Sequence, residues 1–185
     1  VYIDGDGNNQ VTAGDGDNDV YIDGDGNNQV TAGDGDNFVE IYGDGNNQVT
    51  AGDGDNEVYI EGDGDIRVTA GDGDNEVYIE GDGDKVVNAG DGDDSDVEIY
   101  GDGNSQVTLG NGDDRYVGIE GNEVSSGVGD SQVTVGNGDE TYVYIDQNGD
   151  SQVTVGNGDE SDVSIYGVGN SQVTLGDGDD KYVEI

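Results

Sequence analysis

Cysteine, histidine, proline, methionine and tryptophan are all missing from this chain, and only four of its 185 residues are basic: Arg67, Lys85, Arg115 and Lys181. Each absence closes off a class of function. Without cysteine there is no disulfide framework. Without cysteine or histidine there is no zinc, haem or iron–sulfur centre of the usual donor sets, and no nucleophile–base pair built on either residue. The 45 acidic residues give a formal charge of −41, a field that repels phosphate and excludes nucleic-acid binding driven by counter-ion release. No apolar run approaches the length of a membrane span and no signal peptide is visible. Apolar residues make up only 30 % of the chain, with Phe38 the single phenylalanine. Low hydrophobicity with high net charge marks disorder. Two classes survive: a disordered polyanion, or a fold that takes multivalent cations into its structure.

Residue order favours the second. V-x-I tripeptides begin at Val1, Val20, Val39, Val58, Val77, Val97, Val117, Val143, Val163 and Val183, in steps of 19 four times and then 20, 20, 26, 20 and 20. Between them lie V-T-x segments at Val11, Val30, Val49, Val68, Val107, Val133, Val153 and Val173, with V-N-A at Val87. We name the first set A strands and the second B strands. Alternation puts Val1 and Ile3 on one side of an A strand with Tyr2 and Asp4 on the other, and turns Val11 and Ala13 inward from Gln10 and Thr12. The glycine spacing and the β-branched strands exclude helix. The expectation is an all-β fold, a parallel β-solenoid (β-roll) of nine coils over residues 1–185, each with two short strands and two Gly/Asp turns. Six extra residues at 118–131 predict a loop insertion.

Stacking brings a difficulty. Parallel rungs repeat every ~4.8 Å, so each turn carboxylate lies about that far from its copy above, at a cost of roughly 1 kcal/mol per contact in water and more near a protein surface. In the B-to-A turn, the fifth position counted from the residue before the first Gly is Asp in all nine coils: Asp17, Asp36, Asp55, Asp74, Asp93, Asp113, Asp139, Asp159 and Asp179. The third position adds Asp15, Asp34, Asp53, Asp72, Asp91 and Asp177, and the A-to-B turn adds Asp6, Asp25, Asp44, Asp63, Asp82 and Asp102, with Val128, Asn148 and Val168 in its later coils. A hard divalent cation between rungs turns that repulsion into cross-links. Calcium suits it best, taking 6–8 oxygens from carboxylates, Asn side chains and backbone carbonyls, whereas magnesium dehydrates reluctantly. Calcium is therefore expected between successive coils along the whole B-to-A edge, with weaker or missing occupancy on the A-to-B edge past Gly103. An EF-hand reading of "DGDGN" (Asp4 to Asn8) fails, because loop position six is Asn9 and flanking helices have no room.

The turns "AGDGDNDVY" (Ala13 to Tyr21) and "LGNGDDRYV" (Leu109 to Val117) resemble the glycine-rich nonapeptide of the repeats-in-toxin (RTX), or haemolysin-type, calcium-binding β-roll. The resemblance covers almost the whole chain outside the insertion. It implies that the sixth-position residue and the turn carbonyls bind calcium between coils. Here that residue is Asn18, Asn37, Asn56 and Asn75 in four turns, Asp94, Asp114 and Asp180 in three, and Glu140 and Glu160 in two. The departures are a first glycine replaced by other residues and Asp shifted to positions three and five.

Outside the turns, the A face pairs one Tyr with one acid in most coils, swapped where Glu40 precedes Tyr42 and Glu98 precedes Tyr100, a pattern that relieves like-charge stacking and adds aromatic packing. A lateral protein or glycan contact is the alternative. The B face presents Gln10 with Thr12, Gln29 with Thr31, Gln48 with Thr50, Gln106 with Thr108, Gln132 with Thr134, Gln152 with Thr154 and Gln172 with Thr174. Two coils break the pattern, Arg67 with Thr69 and Val86 with Asn88. Three readings of that face stay open: amide ladders that stabilise the stack, a mating surface for another copy, or an ice-binding array. An enzyme is not expected, since acidic pairs recur too uniformly to mark a cleft; the one unique site is the insertion, with Glu120, Glu123, Ser125 and Ser126. The chain starts and stops within A strands without a cap, so it is expected to be a window of a longer array or a subunit joined end to end. The function expected is a calcium-binding tandem-repeat structural segment of an extracellular or cell-surface protein: an adhesin stalk, surface layer, sheath or filament. Calcium and further copies of the chain are the partners, and ice binding is the alternative.

Overall fold

The computed structural model describes residues 1–121 and 127–185. Its strands form two sheets, one of ten A strands and one of nine B strands, each stacked in chain order. Every rung is parallel to the next, as at Tyr2↔Tyr21 and Ile3↔Ile22 in the A sheet and Val30↔Val49 in the B sheet. This is the expected two-strand-per-coil parallel β-solenoid. Parallel stacking repeats one residue type at each height, so small β-branched side chains fill a thin interior. Val20, Ile22, Val30 and Ala32 are buried in one coil, and the same pattern continues to Val153, Val155, Val163 and Ile165 as a single core.

The coil changes length partway along. In the first four coils the B-to-A turn passes through Gly16, Gly35, Gly54 or Gly73, with φ between 101° and 132°. From the fifth coil the turn holds one more residue, and its glycines (Gly92, Gly112, Gly138, Gly158 and Gly178) leave the left-handed range. The A strand then starts earlier, giving seven-residue strands Asp94–Tyr100, Asp114–Glu120, Glu140–Asp146 and Glu160–Tyr166.

The insertion is narrower than the expected 118–131. Gly118 to Glu120 lie in an A strand paired with Tyr144 to Asp146, and Ser131 opens the next B strand opposite Ser151. Both strands keep their core residues in phase, so the extra residues fall between Glu120 and Ser131 in the sequence. Glu120 ends its strand, while Glu123, Ser125 and Ser126 lie outside the described residues.

Candidate functional site at the corners of the coil

Each turn carries outward columns of Asp and Asn whose side chains reach up one rung. Asp53 Oδ1 accepts the Asp72 N–H at 3.0 Å and Asp55 Oδ1 accepts the Asp74 N–H at 2.9 Å. On the opposite edge Asp44 Oδ1 accepts from Asp63 N at 3.0 Å and Asn46 Oδ1 from Asp65 N at 2.9 Å. A backbone N–H presents the positive end of its dipole, so a hydrogen bond to a carboxylate offsets part of the repulsion between stacked charges. The expected third-position residues Asp15, Asp34, Asp53, Asp72 and Asp91 form one such column, continued by Asn111, Asn137, Asn157 and Asp177. Asp6, Asp25, Asp44, Asp63, Asp82 and Asp102 form another.

The column of nine fifth-position aspartates divides in two. Asp17, Asp36, Asp55 and Asp74 run into Asp94, whose N–H is bound by Asp74 Oδ1 at 2.9 Å. Asp94 then pairs onward with Asp114, Glu140, Glu160 and Asp180. Asp93, Asp113, Asp139, Asp159 and Asp179 are the added residues of the longer turn, all exposed, and the first four pass their carbonyls to the next rung, as from Asp113 O to Glu140 N at 2.7 Å.

The sixth-position residues also divide. Asn37, Asn56 and Asn75 are buried, and their amides turn into the coil. Asn56 Nδ2 donates to Gly52 O at 3.0 Å, Gly54 O at 2.7 Å and Asn75 Oδ1 at 3.0 Å, and Asn18 and Asn37 repeat the arrangement. In the longer turns Asp94, Asp114, Glu140, Glu160 and Asp180 face outward and are exposed, and the inward place passes to the buried Ser95, Arg115, Thr141 and Ser161, with Lys181 in register at the same height but exposed on the last rung. The A-to-B corner has its own inward file: Asn9, Asn28, Asn47, Ile66, Lys85, then Ser105, Ser131, Ser151 and Ser171.

Three of the four basic side chains thus point at turn carbonyls. Lys85, fully buried, donates Nζ to Asp102 O at 2.8 Å. Burial lowers its pKa, opposed by Asp82, Asp102, Asp63 and Asp84. Arg115 donates one guanidinium N–H to Gly110 O at 2.6 Å and another to Asn137 O on the next rung, and Lys181 Nζ meets Gly176 O. Gln147, standing where most coils have glycine, sends Nε2 two rungs back to Gly103 O at 2.8 Å. Ser95, Ser105 and Ser131 keep buried hydroxyls without a hydrogen-bond partner.

This donor set decides the fit of calcium. The resemblance implies that the sixth-position residue and the turn carbonyls bind calcium. At the Asn, Lys and Arg rungs the inner corners instead present amide, ammonium and guanidinium N–H groups to those carbonyls. Calcium needs oxygen ligands, and these rungs do not fit it; the remaining rungs present Ser or Thr hydroxyls, and Ile66 at one. Among the described residues no group of three or more His, Cys, Asp or Glu is placed to hold a metal ion.

The faces are ladders as well. On the B face Gln10 Nε2 donates to Gln29 Oε1 at 3.0 Å and Gln106 Nε2 to Gln132 Oε1 at 3.0 Å, with Arg67 and Val86 in register between the two runs. The threonines beside them stack rung on rung as Thr12, Thr31, Thr50 and Thr69, then Asn88, then Thr108, Thr134, Thr154 and Thr174. All eight point outward as expected, Thr50 and Thr108 half-buried and the other six exposed. Arg67 therefore interrupts the Gln column but not the Thr column, which breaks only at Asn88. The expected contact-face residues share one surface, and glutamine amides are joined there from Gln10 to Gln48 and from Gln106 to Gln152.

On the A face Tyr2, Tyr21, Tyr42, Tyr59, Tyr78 and Tyr100 form an unbroken file with ring centroids 4.8–5.5 Å apart. The Tyr/acid swap tilts the rings to about 40° without separating them. Tyr78 donates to Glu80 at 3.1 Å, and its hydroxyl pKa is pushed up to about 12 by desolvation and then by that carboxylate.

Further along that face, half-buried Asp96 has an orphaned Oδ1, and its pKa is pushed up to about 6, first by desolvation and then by Glu98, Glu76 and Asp94. Between pH 4 and 6 the folded state binds this proton more tightly than the unfolded chain does. The group therefore favours folding as pH falls and opposes it above pH 6. Asp96→Asn is expected to stabilise the protein at pH 7 by on the order of 1 kcal/mol after solvent screening, and to flatten the rise in melting temperature between pH 7 and 4. Melts across that range check it.

No protein-family model, curated protein or solved structure matches the chain. The class that the fold defines is a two-sheet parallel β-solenoid with hydrogen-bonded corners.

Proposed function

We propose that this chain is a structural tandem-repeat segment, a stiff spacer in an extracellular or cell-surface protein such as an adhesin stalk, surface layer, sheath or filament. The observation that supports this most is uniformity. One core runs the length of the array, as does the outward ladder from Asp15 to Asp177, and a groove of about 590 Å³ is lined by the same Asx, Ser and Gln heights repeated over several rungs. Such a surface offers length and periodicity, not convergent chemical groups. The extracellular placement rests on the resemblance to toxin-type repeats. Calcium enters as a counter-ion to the outward carboxylate columns.

A spacer tolerates changes in its length. Residues 43–61 make one 19-residue coil, and duplicating them once, twice and three times is expected to lengthen the particle by about 4.8 Å per copy without lowering the melting temperature. Small-angle scattering and thermal melts read this. A particle that unfolds or fails to lengthen overturns the spacer. A second reading rests on the outward Thr column, in register from Thr12 to Thr69 and again from Thr108 to Thr174. Thermal hysteresis that grows with each added Gln/Thr rung assigns that face to ice.

A further inference from the structure

The outward carboxylates and the inward N–H groups divide the electrostatics of this chain in a way its composition hides. A polyanion of formal charge −41 places three of its four cations, Lys85, Arg115 and Lys181, at inward corner heights, each bonded to a turn carbonyl. In the shorter coils Asn18, Asn37 and Asn56 do the same work with neutral amides, each contacting two glycine carbonyls of its own turn. At the Asn, Lys and Arg rungs these turn carbonyls meet an N–H donor that is covalently attached, whereas the Ile66 rung does without one.

We infer that these side chains are tethered replacements for a bound cation, so that the solenoid folds without calcium and its folding is not gated by calcium concentration. Geometry supports the assignment over a purely space-filling role. Asn56 directs its two N–H groups at Gly52 O, Gly54 O and the Asn75 oxygen while its own Oδ1 accepts from Asn37 Nδ2 at 2.8 Å. An apolar residue of that size would take the donor from Gly54 O and leave Gly52 O with only the Gly71 N–H at 3.2 Å. Arg115 contacts carbonyls on two successive rungs, the cross-linking expected of an ion between coils. The outward carboxylates still attract cations, but through a screened atmosphere that does not distinguish calcium from magnesium.

The test is circular dichroism and thermal melting of the intact chain in excess EDTA at 150 mM NaCl, against the same buffer with 5 mM calcium or 5 mM magnesium. The expected result is a full β spectrum in EDTA, with melting temperatures that rise by a few degrees and equally for the two metals. A chain that loses its sheet in EDTA and regains it with calcium but not magnesium overturns the inference. The variant Asn56→Asp replaces the amide donor by a carboxylate oxygen and recreates an oxygen-only corner. It is expected to melt at least 10 °C lower than the parent in EDTA and to recover most of the difference with calcium. An Asn56→Asp protein as stable as the parent in EDTA also overturns it, because the N–H donors would then be idle. The spacer reading is independent of the outcome: a calcium-requiring rod still lengthens when coils are duplicated.

Discussion

Replacing Gly54 by alanine is expected to cost on the order of 4 kcal/mol and to split the solenoid into two melting units. Gly54 has φ of 132°, and a Cβ there meets Gly35 O at 2.5 Å, Gly35 C at 2.6 Å and Asp36 N at 3.2 Å. The dihedral alone costs an L-residue about 1–3 kcal/mol. The clash adds roughly as much, because all three atoms are backbone of the rung below and cannot rotate aside. Relief requires parting the two coils, which weakens the Asp36-to-Asp55 and Asn37-to-Asn56 bonds on that edge. Solenoid stability is a sum over nearest-neighbour interfaces, so one weakened interface divides the array. Urea and thermal melts should show two transitions where the parent shows one. Asp55→Asn, one residue away, keeps an oxygen for the Asp74 N–H and removes a charge, and is expected to be neutral or slightly stabilising.

The strand plan was legible because parallel stacking demands repetition. Val-x-Ile and Val-Thr-x recur in phase, and the observed registers pair Val with Val and Ile with Ile. The corners were less legible, for two physical reasons. In a turn spelled almost wholly with Gly and Asp, counting from the glycine cannot locate one added residue; the structure puts it ahead of Asp94, so that Asp74 stacks on Asp94 instead of Asp93. The inward place was missed because alternation was stopped at the first valine. Two residues before each valine lies the same side of the strand: Asn18 before Val20, Lys85 before Val87, Arg115 before Val117. Carrying the period back one step would have found the Asn, Ser, Lys and Arg files and shown that three of the four cations point inward. Aromatic packing was legible in the Tyr/acid pattern, and what the sequence could not give is the ring tilt of about 40° at the swaps.

Lys85→Ala is the second large effect, also expected at about 4 kcal/mol. The side chain has no exposed surface, so truncation leaves a cavity the size of the three methylenes and the ammonium beyond Cβ, at a cost of roughly 2–3 kcal/mol. It also removes the charge-assisted 2.8 Å bond from the ammonium to the Asp102 carbonyl, worth about 1.5–3 kcal/mol, although that carbonyl keeps the Gly83 N–H at 2.9 Å, and takes a positive charge from among Asp63, Asp82, Asp84 and Asp102. Lys85→Met separates these contributions, because it fills the stem volume and removes only the ammonium. It is expected to recover about half the loss, and melting the three proteins side by side at pH 7 checks the ordering. The neighbouring rung makes the comparison sharper. Ile66 occupies the same height, directly paired with Lys85 and equally buried, so this corner accepts an apolar stem without rearrangement. What remains of the loss in Lys85→Met is then the share carried by the buried charge and its hydrogen bond, and a Met variant as stable as the parent would show that the ammonium contributes nothing to the corner.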